Sequence, residues 1–417
     1  MSVTETSAGV VSKGIGFLKS LPQVWRITAL RSCLNRFFYQ MVLPYLSIYT
    51  RDLGASATQL GMVNSIGMGF AGLLGPFTGT LIDRMGPKRI YLVGITFLGL
   101  SYLVYGLARS WPIIILAMLF YWLGFETSQQ GCTFICSTSL SKETRATAMA
   151  LCETFAMGLM GMLGPLLGAA LVTRFGGVNL SGIRPLFFVA LFGMGLAFLL
   201  ILTQLTNLRW GGSTRPANFF QGLSQVVREG QGLRRFLVVA SLTYLPQGMV
   251  IPFSQVFARD AKLASAQVLG WMVTGFSLTP FLMGIPVGRM ADRFGRKSVL
   301  YITGPLFWAS LLMLIWAPHP VFLVLAGMLQ GFYSMNMVLT TAISYEIVPK
   351  ERMGRWIGIL RFFRMLTAAS AAWIAGFISD KLGMQYIFLT VLGLDVLIRM
   401  PLLITMPETL RRGESGR

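Results

Sequence analysis

The chain has 417 residues, 54% of them hydrophobic and only 12% charged, with a mean hydropathy of +0.66, too apolar for the surface of a water-soluble globule. Soluble enzymes, disordered regulators and nucleic-acid binders are excluded together, so the net charge of +20 is read as a signal of membrane topology. A hydrocarbon core about 30 Å thick needs about 20 helical residues. Apolar runs of that size predict twelve transmembrane helices, near 28–50, 58–82, 90–108, 112–139, 146–173, 185–206, 236–258, 267–290, 299–317, 320–346, 354–379 and 384–406.

Lys and Arg crowd the segment before span 1, the loops that follow even-numbered spans, and the tail. The positive-inside rule then places both termini of this multi-pass protein in the cytoplasm. Small cytoplasmic loops and the lack of a targeting signal suit an inner membrane, with an organelle membrane as the alternative. The opening residues are polar and lack an apolar stretch ending at a small-residue cleavage site, so no signal peptide is expected. Cys33, Cys132, Cys136 and Cys152 all lie in apolar runs and read as small core residues. The longest loop, 207–235, carries Arg209, Arg215, Arg228, Arg234 and Arg235. It reads as a cytoplasmic linker between an N-terminal six-helix bundle, 1–206, and a C-terminal one, 236–417.

In the loop after span 2, Gly79, Asp83, Arg84 and Gly86 return as Gly288, Asp292, Arg293 and Gly295, each 209 residues on. Lys142 and Glu143 return as Lys350 and Glu351 after span 10. Two related bundles are implied, and parallel repeats of this kind place a solute site near mid-bilayer between halves that rock about it. The paired glycines are read as turning tightly and approaching a neighbour, the acid as facing a helix N-terminus, and the basic residues as facing lipid phosphates. The segment Gly79-Thr-Leu-Ile-Asp83-Arg84-Met-Gly86-Pro-Lys88-Arg89 and its copy Gly288-Arg-Met-Ala-Asp292-Arg293-Phe-Gly295-Arg296-Lys297 resemble the signature loop of the major facilitator superfamily. Pro87 stands where that family usually has a basic residue. The resemblance implies an all-α membrane protein of two pseudo-symmetric six-helix bundles, working by alternating access. It makes Asp83 and Asp292 gate candidates; the other reading is a plain turn that holds topology.

Span 5 contains Gly161-Met-Leu-Gly164-Pro165-Leu-Leu-Gly168-Ala169, similar to the helix 5 signature of the drug and proton antiporter branch of that superfamily. Small residues allow close helix approach and Pro165 removes a backbone bond, so the helix can kink and seal against the other half, or simply pack on a neighbour. Span 4 departs from that branch. Gln130-Gly131 is present, but the position of the branch's arginine holds Thr127, beside Glu126.

Charges inside a membrane cost about 2.5 to 3.5 kcal/mol each on insertion scales, so each needs a partner, water or neutralisation. Glu126 lies near the middle of span 4, and the resemblance implies that spans 1, 4, 7 and 10 line the cavity. It is read as the proton-coupling residue, with a structural acid bonded to a neighbouring helix as the alternative. Arg36 shares a polar face of span 1 with Asn35, Tyr39 and Gln40, and either pairs with Glu153 or holds an anionic group. Arg361, Arg364, Asp395 and Arg399 lie at comparable depth and read as a static ion-pair cluster, with anion binding by the spare arginines second.

Trp122, Gln129 and Gln130 on span 4, Tyr244 and Gln247 on span 7, and Gln330, Tyr333 and Asn336 on span 10 are cavity candidates, or equally interhelical hydrogen bonds. His319 is the sole histidine, so no metal site is expected, and no nucleophile with a base or phosphate-cradling loop is present for an enzyme. No cofactor is expected. The reading is a proton-coupled exporter of hydrophobic or amphipathic small molecules, functional as a monomer, whose partners are solute, protons and membrane lipids. A carrier of an organic anion or lipid-linked metabolite is the runner-up. A non-transporting receptor of the same fold is third, and the two intact gating loops argue against it.

Overall fold

The computed structural model describes residues 21–140, 152, 154–205, 231–347 and 353–405, and every span expected from the sequence coincides with helix there. The first half of the chain contains α1 (Gln23–Val42), α2 (Leu46–Asp52), α3 (Ala57–Met85), α4 (Pro87–Leu107), α5 (Trp111–Ser139), α6 (Gly161–Arg174) and α7 (Leu180–Gln204). The second half contains α8 (Gln231–Leu242), α9 (Leu245–Met249), α10 (Ile251–Asp260), α11 (Ala266–Phe294), α12 (Arg296–Trp316), α13 (Pro320–Ile347), α14 (Met353–Lys381), α15 (Gln385–Leu394) and α16 (Met400–Ile404). Among the described residues nine helical segments are long and apolar enough to cross a membrane. Without water to satisfy backbone groups, a helix is the element that closes its own hydrogen bonds in lipid. Leu199, Trp373 and Leu397 point outward and are exposed, as a lipid-facing surface requires.

Proline punctuates the helices. Pro87 and Pro112 sit in first turns, where a missing N–H costs nothing. Pro44 breaks the first span into α1 and α2 through a short 3-10 turn, and Pro246 and Pro252 break the seventh into α8, α9 and α10. Pro44 and Pro252 are 208 residues apart, so the repeat extends to the places where these helices bend. A π-helical turn at Thr154–Met160 precedes α6, and another at Asp395–Arg399 joins α15 to α16.

The duplicated loop is duplicated in conformation as well. Gly86 stands between α3 and α4 with φ +77°, and Gly295 stands between α11 and α12 with φ +94°, both in a region that side chains with a Cβ avoid. Gly288 differs from its expected role. It lies inside α11, more than a turn before the helix ends, and a Cβ there would meet nothing within 4 Å, so it neither turns the chain nor brings a neighbour close. The lysines after the glycines do not wait for lipid phosphate either. Lys88 Nζ donates to the Leu202 carbonyl near the end of α7, 3.0 Å away, and Lys297 Nζ to the Ile404 carbonyl at the end of α16, 2.9 Å away. In each half the loop lysine satisfies an orphan carbonyl at the negative end of the last helix.

The two halves of the chain meet along two helix pairs. On one side α3 lies against α14, where a Cβ on Gly61 would fall 2.3 Å from the Ala372 carbonyl and one on Gly376 would fall 2.4 Å from the Ala57 carbonyl. On the other α6 and the π-helical turn before it lie against α11, where Gly270 approaches the Pro165 carbonyl and Gly158, in the turn, the ring of Phe281. Small residues let these backbones come close enough for packing to hold helices that gain nothing from hydrophobic exclusion in lipid. The helix 5 glycines divide between two neighbours. Gly161 faces Ser277 of α11 in the other half, whereas Gly164 and Gly168 press against the backbone of Phe37 and Met41 on α1.

Candidate functional site: a cavity between the halves

One end of the molecule is tied shut. Asp52, at the end of α2, pairs with Arg259, near the end of α10, at 2.6 Å. Tyr45 donates from its hydroxyl to the Ala266 carbonyl at 3.1 Å, and Gln267 donates to Thr173 at 2.9 Å. Asp380 at the end of α14 accepts from the backbone N–H groups of Ala57 and Thr58, at 3.1 and 2.7 Å, and so caps α3 from across the interface. Burial pushes the Asp52 carboxyl above its ordinary value, and Arg259 pulls it back.

Away from that end the halves part around a cavity of about 540 Å³. Its lining starts at Leu43 and Gln255, below the tied contacts, and reaches Ser344 and Ile357, one turn from the helix ends on the side of Gly86 and Gly295. A smaller chamber of about 70 Å³ shares Tyr39, Leu43, Trp122, Gln247 and Gln255 with it and extends toward the tied end past Asn64 and Thr50. The kinked helices α1–α2 and α8–α10 flank both spaces.

Most of the cavity candidates meet here. Arg36, Tyr39, Gln40, Trp122, Tyr244, Gln247, Gln330 and Tyr333 line the wall. Gln40 also donates to Ser277 of the opposite half at 2.9 Å. Asn336 does not line it. The α13 residues on the wall are Gln330, Tyr333, Ser334, Met337, Thr341 and Ser344, at helical spacing, and Asn336 lies on the neighbouring face, accepting from Thr303 of α12 at 2.5 Å. Asn35 is likewise off the wall, since the cavity face of α1 runs through Arg36, Tyr39, Gln40 and Leu43. The side chains of Asp83, Arg84, Gln129 and Gln130 lie outside the described residues, as does Glu153. Asp292 and Arg293 are exposed at the end of α11, and Asp292 has no basic partner among the described residues.

The charges resolve differently from the expected cluster. Arg361 turns away from Asp395 and reaches across the interface to Glu126 of α5, nitrogen to carboxylate oxygen 2.5 Å. Glu126 is 0% exposed, whereas the Arg361 side chain keeps 25% of its surface and lines the cavity. Arg364, one helical turn on, donates to the Ala240 carbonyl at 3.3 Å and to Thr341 Oγ1 at 2.9 Å, with its guanidinium 4.9 Å from the centre of the Tyr244 ring. Only Asp395 and Arg399 form the expected static pair. They are buried, and Trp308 Nε1 adds a bond to Asp395 at 2.6 Å. Ser254, Thr341, Ser344 and the α11 residues Met272 and Phe276 also line the wall and were not singled out from the sequence. The spacing of Thr341 and Ser344 with Gln330 and Tyr333 on one face of α13 is the cue available for two of them.

A two-sided helical assembly tied at one end, with a cavity of mixed polar and apolar lining between its halves, is the architecture of a solute carrier. The model of the Major Facilitator Superfamily matches residues 28–230 and 236–416, and the chain belongs to that family. It is a multi-pass membrane transporter and not an enzyme. It is similar to "Multidrug resistance protein MdtG" of Escherichia coli (strain SMS-3-5 / SECEC), 24% identical over 371 residues that cover 85% of this chain and 87% of the relative. Among solved structures it resembles a nucleoside transporter NupG mutant, with a TM-score of 0.77 at 13% identity over 91% of this chain and 99% of the other. It also resembles the human organic anion transporter MFSD10, with a TM-score of 0.64 at 20% identity over 91% and 99%. These structural likenesses establish the fold.

Proposed function

We propose that this protein exports hydrophobic or amphipathic small molecules in exchange for protons, and that Glu126 carries the coupling. The observation behind this is the Arg361–Glu126 contact, an ion pair with a fully buried acid and a partly open guanidinium that joins the two halves at the cavity wall. Protonating Glu126 removes one charge of the pair, weakens a tie between the halves and so biases the equilibrium between differently opened forms. The halves are residues 1–206 and 236–417, with 207–235 as a cytoplasmic linker. The matching conformations at Gly86 and Gly295 and the matching lysine contacts favour that division. The cavity approaches the end of the molecule where Lys and Arg are concentrated, which the positive-inside rule makes the cytoplasm. A carrier that accepts solute from that side and is tied at the other is poised for loading before export. The name of the MdtG relative points the same way.

The test is flux in proteoliposomes with an imposed proton gradient, native chain against Glu126→Gln. The variant should retain solute binding and lose gradient-driven efflux. Full efflux in the variant would place the coupling elsewhere and return Glu126 to a structural role.

A further inference from the structure

We infer that the solutes this cavity takes are amphipathic organic anions, with a carboxylate or sulfonate head against Arg361 and Arg364 and an apolar body against Phe276, Met337 and Met365. The inference rests on the transport reading above and adds to it the charge of the cargo.

The cavity wall carries three guanidinium groups, from Arg36, Arg361 and Arg364, and among the described residues no acidic side chain lines it. Among the described residues the carboxylate that touches one of these arginines is Glu126, which is completely buried. A solute therefore meets the guanidinium, which keeps part of its surface open, and not the acid that neutralises part of its charge. Arg361 and Arg364 are three residues apart on one helix, so their heads project from the same face of α14. Both are anchored before any solute arrives, Arg361 by Glu126 and Arg364 by Ala240, Thr341 and the face of Tyr244. Donors fixed in advance lose less freedom on binding, and a guanidinium presents paired N–H groups that match a carboxylate or sulfonate. The same wall also carries the apolar side chains of Phe276, Met337 and Met365, and methionine repacks around bodies of different shape. A lipophilic cation in the same place would sit among like charges in a medium of low dielectric, which selects against it.

The experiment uses the full chain in phosphatidylcholine nanodiscs and three probes that share one ring system: 2-naphthalenesulfonate, neutral 2-naphthol and 2-naphthyltrimethylammonium. Equilibrium binding should favour the sulfonate over the ammonium by about tenfold or more. Arg364→Gln should weaken sulfonate binding by about tenfold while leaving naphthol unchanged, and Arg364→Lys, which keeps the charge, should recover most of it. If Arg364→Gln also abolishes naphthol binding, the cavity has been lost with the side chain, and the double variant Arg361→Gln with Glu126→Gln, which removes the other guanidinium of the head site together with its partner, takes its place with the same expected result. Ammonium binding equal to or tighter than sulfonate in the native chain overturns the inference without any variant. Binding is measured without a gradient, so a chain that binds the sulfonate yet moves no solute in liposomes would sink the export reading and leave the anion site standing.

Discussion

Arg361 of α14 and Glu126 of α5 lie 235 residues apart in sequence and 2.5 Å apart in space, joining the two halves at the edge of the cavity. Such a pair is a conditional stabiliser. Each charge is costly to bury alone, and removing one partner from a buried pair typically costs about 3 to 5 kcal/mol because the other is left uncompensated. Replacing both by neutral groups of similar size costs far less.

Arg361→Met should therefore lower the thermal unfolding midpoint of the detergent-solubilised protein sharply. Glu126→Gln introduced on top of it should restore most of the loss. Two variants whose effects simply add would show that the side chains do not act as a pair.

The tied end makes a second prediction. Asp380 caps α3 from the opposite half, and losing an N-cap costs about 1 kcal/mol, which corresponds to about a fivefold change in a two-state ratio. Asp380→Ala should shift the population toward forms open at that end. Spin labels at the exposed positions Phe175 and Leu382, one in each half, would report a larger share of long distances. An unchanged distance distribution would mean that Asp380 holds α3 without holding the halves together.

The sequence announced the helices and the duplicated loop because those features are local. Hydropathy sets helix length, and Gly86 and Gly295 are required by a backbone conformation confined to their own residues. Cavity residues such as Gln330 and Tyr333 were legible because helical spacing puts them on one face of a helix that the resemblance assigns to the cavity. The partners of the intramembrane charges were not. Arg361, Arg364, Asp395 and Arg399 share a depth, and depth is all that residue counting supplies. Whether Arg361 turns toward Asp395 or Glu126 depends on the rotation of α14 and on its crossing of α5. Asn336 illustrates the finer limit: it lies one residue from Met337 on the wall, yet the 100° step between neighbours sends it to Thr303.

The duplicated glycines should behave as equivalents. Gly86→Ala and Gly295→Ala each place a Cβ in a conformation that costs about 1 to 3 kcal/mol for any residue other than glycine. Both should lower the unfolding midpoint by similar amounts, whereas Gly288→Ala, inside a helix with open space around it, should not lower it. A large effect at Gly288 would show that this glycine serves a contact formed only when the other end of the transporter closes.

The helix 5 glycines offer a contrast between packing and lipid exposure within one half of the chain. A Cβ on Gly164 would fall 2.5 Å from the Phe37 carbonyl of α1, so Gly164→Ala must push two helices apart, and overpacking of this kind costs about 1 to 3 kcal/mol. Gly195 lies on the exposed face of α7 with nothing within 4 Å of the same position. Gly195→Ala gains helix propensity without a clash and should raise stability by about 0.5 to 1 kcal/mol. The two substitutions add the same methyl group, so thermal unfolding shifts of opposite sign would isolate the α1–α6 contact as the cause. Shifts of the same sign would mean that the interface yields easily, and that the glycines of α6 are kept for movement between the helices instead of tight packing.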